Sequence, residues 1–493
     1  MEEKFEINSN NGFFDGYNLF VLNKADASSG ITEANTLYIT NMSGEVFLEK
    51  PLWTNNAIGN IPVEFVNSTT ILFGDSNSVN LWNIYTDEIV ELNFVGHHEY
   101  ELNPNNNSIF TLNVEIVEID GDEYNFDILE EYDLVSGIKI WEFKTSDYIS
   151  IDQFCPYNDM YMDLPDITHA NSIAYDIDED VIYLNCRNTN AFYKINHKNA
   201  DLVWSLGEDG NFTMRNIKGE LRDFLFFHGH ALEIIGEDTF IYFDNDKHNQ
   251  TNNLNMRSRM LEITIDEQTF TANTTWEWEA PYTYYSGWWG DSDRLPNLNR
   301  LGTFGTAEHA GTNRIGARLV EVNDAGNIVW EMYFPKDSGK VFGIYRAERI
   351  RLSPIIGIDE IYWIKTGTEA IINWQAWYNF RNKQYFSGNY QIFFEEQEIE
   401  NGVVDFKLYW QSTNKSFNLG YLENGSYNIT IVLEDEEGHN TTQYVELLVS
   451  KNPPEEPSKS NFSFIPVIPF IVLILINIKR KREGKKSTLL LFG

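Results

Sequence analysis

The stretch DITHANSIAYDIDEDVIYLNCRNTNAFYKINHKNADLVWSLG (166–207) decides the fold class of this chain. Its apolar and aromatic residues form short alternating runs, separated by turns rich in Asp and Asn, which tolerate left-handed backbone and bond their own main chain. The pattern predicts strands at 172–175, 181–185, 192–195 and 202–206. Polar residues lie at the ends of these strands, where a β-scaffold usually carries its site. They are His169, Asn171, Asn185, Arg187 and Asn190.

The same unit, a turn followed by an alternating strand that often contains Trp, recurs from about residue 10 to 355. Examples are SGEVFLEKP (43–51), SGIKIWEFK (136–144) and AGNIVWEMYF (325–334). A four-stranded propeller blade needs about 40–50 residues, and more with insertions. We therefore predict an all-β chain in which residues 1–355 form a six-bladed β-propeller.

Residues 358–450 have a different pattern, with strands at closer intervals and a final hairpin over 435–440. About ninety residues of this kind predict an immunoglobulin-like β-sandwich. It lacks the Cys–Trp–Cys arrangement of antibody domains and carries no candidate catalytic histidine. We expect it to act as a spacer that the chemistry does not need.

The C-terminal end has the pattern of a membrane anchor. A Pro-rich linker (451–461) precedes an uncharged segment (462–478), and a basic tail (479–493) follows. Seventeen uncharged residues are at the short end for a membrane helix, and the basic run matches the positive-inside rule. The alternative is a buried core helix, which the two prolines and the polar flanks disfavour. We predict a single-pass cell-membrane protein with an extracellular propeller and sandwich and a cytoplasmic tail, although residues 1–9 lack a secretory-signal pattern.

Eleven N-x-S/T sequons occur, and five of them lie within 414–461. Each sequon alone is a weak signal. Their concentration next to the predicted anchor suits a glycosylated stalk on the outer side of a membrane.

The charge balance limits the possible partners. The net charge is −38, from 74 acidic and 36 basic residues. Such a surface repels nucleic acid and anionic lipid, so we expect no nucleic-acid partner. An anionic substrate would need a locally positive site within this field.

Cysteine and histidine spacing argues against a metal or a disulfide framework. Cys155 and Cys186 are the two cysteines, and either one disulfide or two thiols is compatible with the sequence. His97-His98 and His228-Gly229-His230 resemble chelating pairs, but neighbours on a strand point to opposite faces. No HExxH motif or Cys pair is present, so we expect neither a catalytic metal nor another cofactor.

Several motifs, in order along the chain, resemble the arylsulfotransferase family of histidine-using sulfotransferases, in an archaeal-type, membrane-anchored form. The central ones are H-A-N-S-I (169–173), D-V-I-Y-L-N-C-R-N-T-N-A-F-Y-K-I (180–195) and L-V-W-S-L-G (202–207). Further matches lie at 15–20, 96–100, 227–230, 243–245, 258–262, 295–299 and 345–349. The resemblance spans about residues 10–355 and implies the propeller fold.

The resemblance also implies roles for individual residues. His309, in G-T-A-E-H-A-G, matches the sulfated histidine of the family, and His169 and His230 match its two assisting histidines. Family members usually carry Q-H where this chain has Gly229-His230. Arg259, in S-R-M-L-E, is the candidate supporting arginine, although Lys247-His248 follow F-D-N where a cation would also fit. The predicted substrate-binding residues are His98, Asn171, Arg187 and His248.

The chemistry of sulfuryl transfer suits these residue types. A nucleophile must attack sulfur while donors stabilise charge on the sulfonate oxygens. Neutral imidazole can attack, because its ordinary pKa of about 6.5 leaves it unprotonated at neutral pH. We therefore predict transfer from an aryl sulfate donor to a phenolic acceptor through a sulfohistidine, by a ping-pong mechanism. No P-loop that could bind a nucleotide sulfate donor is visible.

Other interpretations remain open at this stage. The propeller could be a non-catalytic module that binds glycans or proteins, since this fold serves many functions. A quinone-dependent dehydrogenase is less favoured, because no cysteine pair or calcium-type carboxylate cluster is visible. His169 or His230 could simply cap blade ends, and Arg259 could pair with Glu262 on a strand surface. The sequence does not indicate an oligomeric state.

Overall fold

The computed structural model describes residues 5–26, 28–29, 32–52, 62–74, 78–155, 160–161, 163–246, 248, 256–305, 316–334 and 340–453. Within these ranges the regular structure is β-strand with short 3₁₀ turns, so the predicted all-β class is confirmed. His309, most of the predicted linker, the predicted anchor (462–478) and the basic tail lie outside the described residues. No helix in the described ranges has the length and apolar content needed to cross a membrane.

Six sheets are built mainly from antiparallel strands that follow one another along the chain. In each sheet the strand named first below is called its first strand. Sheet 1 contains Lys340–Ile350, Tyr17–Asp26, Thr32–Asn41 and Val46–Leu52, and sheet 2 contains Val63–Asn67, Thr70–Gly74, Val79–Asn83 and Glu88–Leu92. Sheet 3 contains His97–Asn103, Ser108–Ile119, Asp122–Asp133 and Lys139–Lys144, and sheet 4 contains Ala170–Asp176, Val181–Cys186, Ala191–Asn196 and Asp201–Gly207. Sheet 5 contains His230–Gly236, Thr239–Asp244, Arg259–Asp266 and Thr271–Glu279, extended by Thr213–Arg215 and Leu221–Arg222. Sheet 6 contains Asp291–Arg294, Arg300–Phe304, Arg318–Val322, Ile328–Tyr333 and Glu6–Ser9.

Two further sheets follow in the chain. Sheet 7 contains Ile355–Gly357, Glu369–Trp377 and Thr413–Tyr421. Sheet 8 contains Ile361–Lys365, Asn440–Ser450, Gly425–Glu434, Phe386–Phe394 and Gln397–Phe406. The remaining short elements are a pairing of Met160–Tyr161 with Leu164–Pro165 and 3₁₀ turns at Thr145–Asp147, Ile151–Gln153, Arg187–Thr189 and Tyr282–Tyr284.

Sheet 4 shows how the sequence produces this arrangement. Its strands coincide with the runs predicted in 166–207, each extended by one or two residues at one or both ends. The turn after its first strand closes because Asp176 Oδ1 accepts the backbone N–H groups of Asp178 and Glu179. Its first strand is almost fully buried, whereas its fourth strand alternates between buried and exposed residues. The burial pattern indicates that the fourth strand lies nearest the surface.

The first strands of neighbouring sheets contact one another. Contacts run from sheet 3 to 4, 4 to 5, 5 to 6, 6 to 1 and 1 to 2. Sheet 1 joins the two ends of this region, because its strand Lys340–Ile350 pairs with Tyr17–Asp26. Arg349 strengthens the junction by donating to Asn18 Oδ1 (2.9 Å) and Glu321 Oε2 (2.8 Å).

The tryptophans and cysteines belong to the packed interior. Trp204 and Trp330 are fully buried in apolar clusters. Trp330 also donates its indole N–H to the carbonyl of Met42 (2.9 Å). Cys155 and Cys186 are both buried and both free thiols. Of the two arrangements that the sequence left open, the structure has the unbonded one.

Carboxylates are concentrated on the first strands, in what we call the acidic cluster. Among the described residues its members are Glu64, Glu99, Glu101, Glu233, Asp291, Asp293 and Glu348. Burial raises the pKa of Glu101 and of Asp291 to about 7 and that of Glu348 to about 8. Part of the cluster therefore holds protons at neutral pH.

Three cations face these carboxylates, and two of them come from the loop between sheets 7 and 8. Lys383 Nζ lies 2.6 Å from Glu64 Oε2 and 2.5 Å from Glu101 Oε2. Arg381 NH2 lies 2.5 Å from Glu233 Oε1. The third cation, Arg346 on the first strand of sheet 1, pairs with Glu99.

The region of sheets 7 and 8 is therefore in direct contact with the six sheets. Apolar contacts continue the join, since Trp410 packs on Phe14 and Phe380 packs on Phe65. The two regions share one apolar cluster, and residues up to Glu455 form one compact unit. Removing residues 358–450 would expose this core and leave the acidic cluster without two of its cations.

Replacing Lys383 with Met should destabilise the fold by about 3–5 kcal/mol at pH 7, since two carboxylates would lose their buried counterion. The loss of stability should be smaller at pH 5, because Glu101 is then protonated and needs no counterion. Urea unfolding followed by Trp fluorescence measures the change. Lys139→Met is the matched control, because Lys139 also pairs with two glutamates but is 41% exposed, so its loss should cost less than about 1 kcal/mol. Equal losses for the two variants would contradict the role assigned to Lys383.

Candidate functional site

Three histidines converge where the first strands of sheets 3, 4 and 5 begin. His98 is the second residue of its strand and His230 the first residue of its strand. His169 directly precedes its strand. The ring centroids of His98 and His169 are 5.1 Å apart. The ring of Tyr345 lies 6.1 Å from that of His98 and 6.5 Å from that of His230. We call His98, His169, His230 and Tyr345 the histidine site.

The backbone at this site is unusual for side-chain-bearing residues. His98 and His169 have φ values of 62° and 46°, and His228 next to His230 has 52°. Such left-handed conformations cost energy and collect at functional sites, where the surrounding packing holds them. These strained conformations favour a functional role for the histidines over a role in capping strand ends.

His230 is held in one tautomer by Asn245. The Asn245 amide donates both protons, to the carbonyls of Ser286 (2.7 Å) and Trp289 (2.8 Å). Its Oδ1 therefore faces His230 Nδ1 at 2.6 Å and can only accept. The proton of neutral His230 must lie on Nδ1, so Nε2 carries the lone pair.

His169 is oriented in the same way by a carboxylate. Its Nδ1 lies 2.5 Å from Asp166 Oδ2, which accepts the Nδ1 proton. Nε2 of His169 is then the atom left to react with, or protonate, a substrate oxygen.

Asn171 and Asn185 fix the strand starts on either side of the histidines. Both donate to the carbonyl of Gly229, at 3.0 and 2.9 Å, and Asn185 also donates to Asn171 Oδ1. Gly229 is required here, because a Cβ would lie 2.1 Å from the ring of Tyr242. The departure from the family's Q-H pattern thus has a steric reason in this chain.

Two arginines act on the histidines of the site in this acidic protein. Burial lowers the pKa of His230 well below its ordinary value, and the positive Arg187 adds to the effect. Burial likewise lowers the pKa of His98, with contributions from its histidine neighbours and Arg346. Both imidazoles are therefore neutral at pH 7. Arg187, only 2% exposed, and Arg346 supply positive charge toward which an anion would be drawn.

The other predicted residues have different surroundings. Arg259 is held by Asp244, with contacts of 2.9 and 2.5 Å, and lies 3.5 Å from Glu277. Its described contacts include no histidine, and its partner is Asp244 rather than Glu262. His248 pairs with Asp246 (2.7 Å) and packs on Phe227. His309 lies outside the described residues, so its role stays a prediction.

Tyr345, Arg346 and Asn245 belong to the site but were not singled out from the sequence. Tyr345 donates its hydroxyl to the carbonyl of Asn171 (3.2 Å), and Arg346 donates to the same oxygen (3.1 Å). A signal for them existed, because all three lie within segments that carried the family resemblance, 243–245 and 345–349. Their roles depend on contacts across more than forty residues of sequence, which motif spacing does not reveal.

One group of carboxylates in the described residues has a geometry that could hold a cation. Glu233, Asp293 and Glu348 place one oxygen each within 4.8 Å of one another. Arg381 already contacts Glu233, and its Nε lies 3.5 Å from Asp293. The group belongs to the acidic cluster, and a guanidinium serves as its counterion.

Comparison with known families identifies the region that carries the histidine site. The model of the family described as arylsulfotransferase (ASST) matches residues 18–346, about two thirds of the chain. The chain belongs to the arylsulfotransferase family. Membership supports aryl sulfotransferase activity at the level of the family. No curated protein sequence matches the chain significantly.

Similar solved structures are distant. The β-propeller domain of Cps50 (Swd1) from Myceliophteria thermophila is 9% identical with a TM-score of 0.34, covering 67% of this chain and 100% of that one. The extracellular domain of a one-component system from B. thetaiotaomicron is 9% identical with a TM-score of 0.28, covering 90% of this chain and 58% of that one. Hydrazine synthase from Kuenenia stuttgartiensis is 12% identical with a TM-score of 0.30, covering 63% and 74%.

Replacing His230 with Asn should reduce the loss of stability on acidification. The folded pKa of His230 is lowered, so between about pH 6.5 and that value the unfolded chain binds more protons than the folded one. In this pH range the His230 side chain makes wild-type stability decrease as the pH decreases, by up to about 1.4 kcal/mol per pH unit. Asn keeps a donor for Asn245 but cannot titrate, and urea unfolding between pH 7 and 5 measures the difference.

The matched control is His439→Asn, which should change the pH dependence in the opposite sense. Asp435 raises the pKa of His439, so its contribution is present below pH 6.5 and is lost as pH rises. Its removal should therefore deepen the loss on acidification. The same sign for both variants would show that His230 is not held neutral.

Proposed function

We propose that this protein is an aryl-sulfate sulfotransferase that transfers a sulfuryl group from a phenolic sulfate ester to a phenolic acceptor. The observation that carries the proposal is the histidine site. The imidazoles of His169 and His230 present Nε2, His230 is neutral, and two arginines supply positive charge in a chain of net charge −38. An anionic ester is attracted to such a site, and imidazole nitrogen is a suitable nucleophile and proton carrier.

The reaction would run in two half-reactions. A histidine nitrogen attacks sulfur, the S–O bond to the aryl group breaks, and the leaving phenolate takes a proton. After the first phenol departs, the acceptor oxygen attacks the same sulfur, the S–N bond breaks, and the acceptor loses its proton. By the family resemblance His309 is the proposed nucleophile, with His169 and His230 as proton carriers and sulfonate donors. Arg259 would support them indirectly through its ion pair with Asp244.

We further propose that sheets 1–6 are the blades of a six-bladed β-propeller, with sheets 7 and 8 as an immunoglobulin-like sandwich. The closure of sheet 1 by Lys340–Ile350 supports the propeller, since it joins the end of the region to its beginning. The order of contacts between first strands supports it as well. In this arrangement the histidine site lies at one end of the central axis.

Brief exposure of the purified protein to an aryl sulfate, without acceptor, should add one SO₃ group to a histidine. Peptide mass spectrometry is expected to find the adduct on the peptide containing His309, and His309→Ala should abolish both half-reactions. His169→Ala and His230→Ala should slow transfer by about 10²–10⁴-fold, the usual contribution of a positioned acid or base. His439→Ala is the control, because this residue lies in the turn between the sheet 8 strands Gly425–Glu434 and Asn440–Ser450, and it should keep full activity.

The outcomes separate two functions. An adduct on a different histidine would support the mechanism but would show that His309 is not the nucleophile. Absence of both adduct and donor turnover in folded protein would overturn the enzyme and favour a non-catalytic module that binds glycans or proteins.

We propose, finally, that the chain is anchored in the cell membrane by 462–478, with the sheets outside and 479–493 in the cytoplasm. The uncharged segment followed by a basic run supports this orientation. Chain termination after Ser460 should give a folded protein in the soluble fraction after cell fractionation, with the full chain in the membrane fraction as control. Membrane retention of the truncated chain would refute the anchor.

A further inference from the structure

A buried histidine joins sheets 3 and 4 at the strand ends that lie away from the histidine site. His197 follows the third strand of sheet 4, in the turn before the fourth. Its Nε2 lies 2.9 Å from Oε2 of Glu131, on the third strand of sheet 3. Its Nδ1 lies 2.7 Å from Oδ1 of Asp180, in the first turn of sheet 4. His197 is 7% exposed, so two buried contacts join one imidazole to a carboxylate from each sheet.

Two turns of sheet 4 bring the Asp180 and His197 side chains together. Asp180 has φ 57° at the end of the turn that begins at Asp176, a backbone conformation that Asp tolerates. The N–H of His197 donates to the carbonyl of Asp180 at 3.3 Å. Val181 and Asn196, the next residues of the two turns, pair directly. The position of the imidazole is therefore fixed by local backbone structure.

Aromatic rings from both sheets enclose the imidazole. The ring centroids of Phe110 and Trp141, on sheet 3, lie 5.2 and 5.3 Å from that of His197. The ring centroid of Tyr175, on the first strand of sheet 4, lies 6.0 Å away. These rings keep water from the contacts with the carboxylates. Attraction between opposite charges is consequently screened less here than at the surface.

The hydrogen bonds of the two carboxylates require both ring nitrogens to donate. Glu131 accepts from the Asn103 amide (2.8 Å) and from the Ser108 hydroxyl. Asp180 accepts from the Tyr175 hydroxyl (2.9 Å). An ionised carboxylate can only accept, so it faces a ring nitrogen favourably only when that nitrogen carries a proton. An imidazole with two such neighbours is an imidazolium.

The electrostatics of the surrounding groups agree with this charge state. Burial by itself would lower the pKa of His197, but the hydrogen bonds to Glu131 and Asp180 raise it above the ordinary value. Burial by itself would raise the pKa of Glu131, but His197 and its other donors lower it. Among the described residues, the other titratable groups beside these three are Tyr175 and Lys198. Burial and the bond to Asp180 raise the pKa of Tyr175, and Lys198 Nζ lies 3.9 Å from Asp180 Oδ2.

We propose that the imidazolium of His197 forms a pH-sensitive junction that holds sheet 3 against sheet 4 and weakens when it loses its proton. A neutral imidazole has one N–H, so its other nitrogen would direct a lone pair at a carboxylate oxygen less than about 3 Å away. That carboxylate would also lose its buried counterion, which is strongly unfavourable. The contact between the two sheets would therefore loosen at this end.

The junction gives the protein a response to pH that does not depend on sulfuryl transfer. Sheets 3 and 4 carry His98 and His169 at their opposite ends, where the two rings are 5.1 Å apart. The same pair of sheets thus contains the histidine site at one end and the junction at the other. Protonation of His197 then sets how firmly these two sheets pack.

Replacing His197 with Gln should flatten the dependence of stability on pH above about pH 6.5. The folded pKa of His197 is raised, so its contribution is complete below the unfolded value of about 6.5 and is lost as the pH rises through the folded value. Over that interval this group should raise the wild-type unfolding equilibrium constant by up to about tenfold per pH unit. Gln does not titrate, so the variant should lack this rise. Urea unfolding between pH 6.5 and 9 measures the difference.

Lys198→Gln is the matched control. It also removes a positive charge beside Asp180, from a side chain that is 77% exposed, and it leaves the imidazole in place. This variant should keep the wild-type pH dependence. Equal slopes for the wild type and His197→Gln, or equal flattening by Lys198→Gln, would overturn the junction.

Two measurements on the wild-type chain keep the junction testable if His197→Gln fails to fold. Histidine-selective ¹⁵N NMR at pH 7 should find protons on both ring nitrogens of His197, with its signals assigned from their shift in Lys198→Gln. Hydrogen exchange, corrected for the intrinsic effect of pH, should show protection lost between pH 7 and 9 in Asp122–Asp133 and Ala191–Asn196 but kept in Tyr17–Asp26. A neutral His197 at pH 7, or equal loss of protection in all three strands, would overturn the junction.

Discussion

The structure depends on how it neutralises carboxylates that converge on the first strands of its sheets. Their burial is unfavourable unless each charge is paired or protonated. Arg346 comes from the first strands themselves, whereas Arg381 and Lys383 come from the loop between sheets 7 and 8. The raised pKa values of Glu101, Asp291 and Glu348 indicate that protons supply the remainder. The loop between sheets 7 and 8 is thus an electrostatic part of the larger region.

In sheets 3 and 5, charge divides the first strand along its length. His98 and His230 lie at the beginnings of these strands, and Glu99, Glu101 and Glu233 follow them. Arg346 lies between the two, paired with Glu99 on one side and lowering the pKa of His98 and His230 on the other. The acidic side keeps this guanidinium in place, and the guanidinium helps keep the imidazoles neutral. An acidic protein can in this way hold a site suited to an anionic ester.

Local features of the fold and site could be predicted from sequence, and long-range ones could not. The strands of sheet 4 follow from alternation and from Asx turns such as the one at Asp176, which are properties of neighbouring residues. His98, His169 and His230 were found because each lies at a strand start within a short motif. The ion pair of Lys383 with Glu64 joins positions 319 residues apart, and no local pattern encodes it. Asn245 was missed for the same reason, since its importance lies in the two carbonyls that orient its amide.

The junction in sheet 1 has a consequence for synthesis on the ribosome. Tyr17–Asp26 emerges early, yet one of its edges waits for Lys340–Ile350, more than three hundred residues later. An unpaired inner strand is a ready template for wrong partners until its own arrives. The loop with Arg381 and Lys383 emerges later still, so the acidic cluster gains two of its cations only after Lys340–Ile350 can complete sheet 1. The nascent chain must therefore stay soluble while one edge of Tyr17–Asp26 is unpaired and the acidic cluster lacks two of its cations. The high negative charge of the chain favours this solubility.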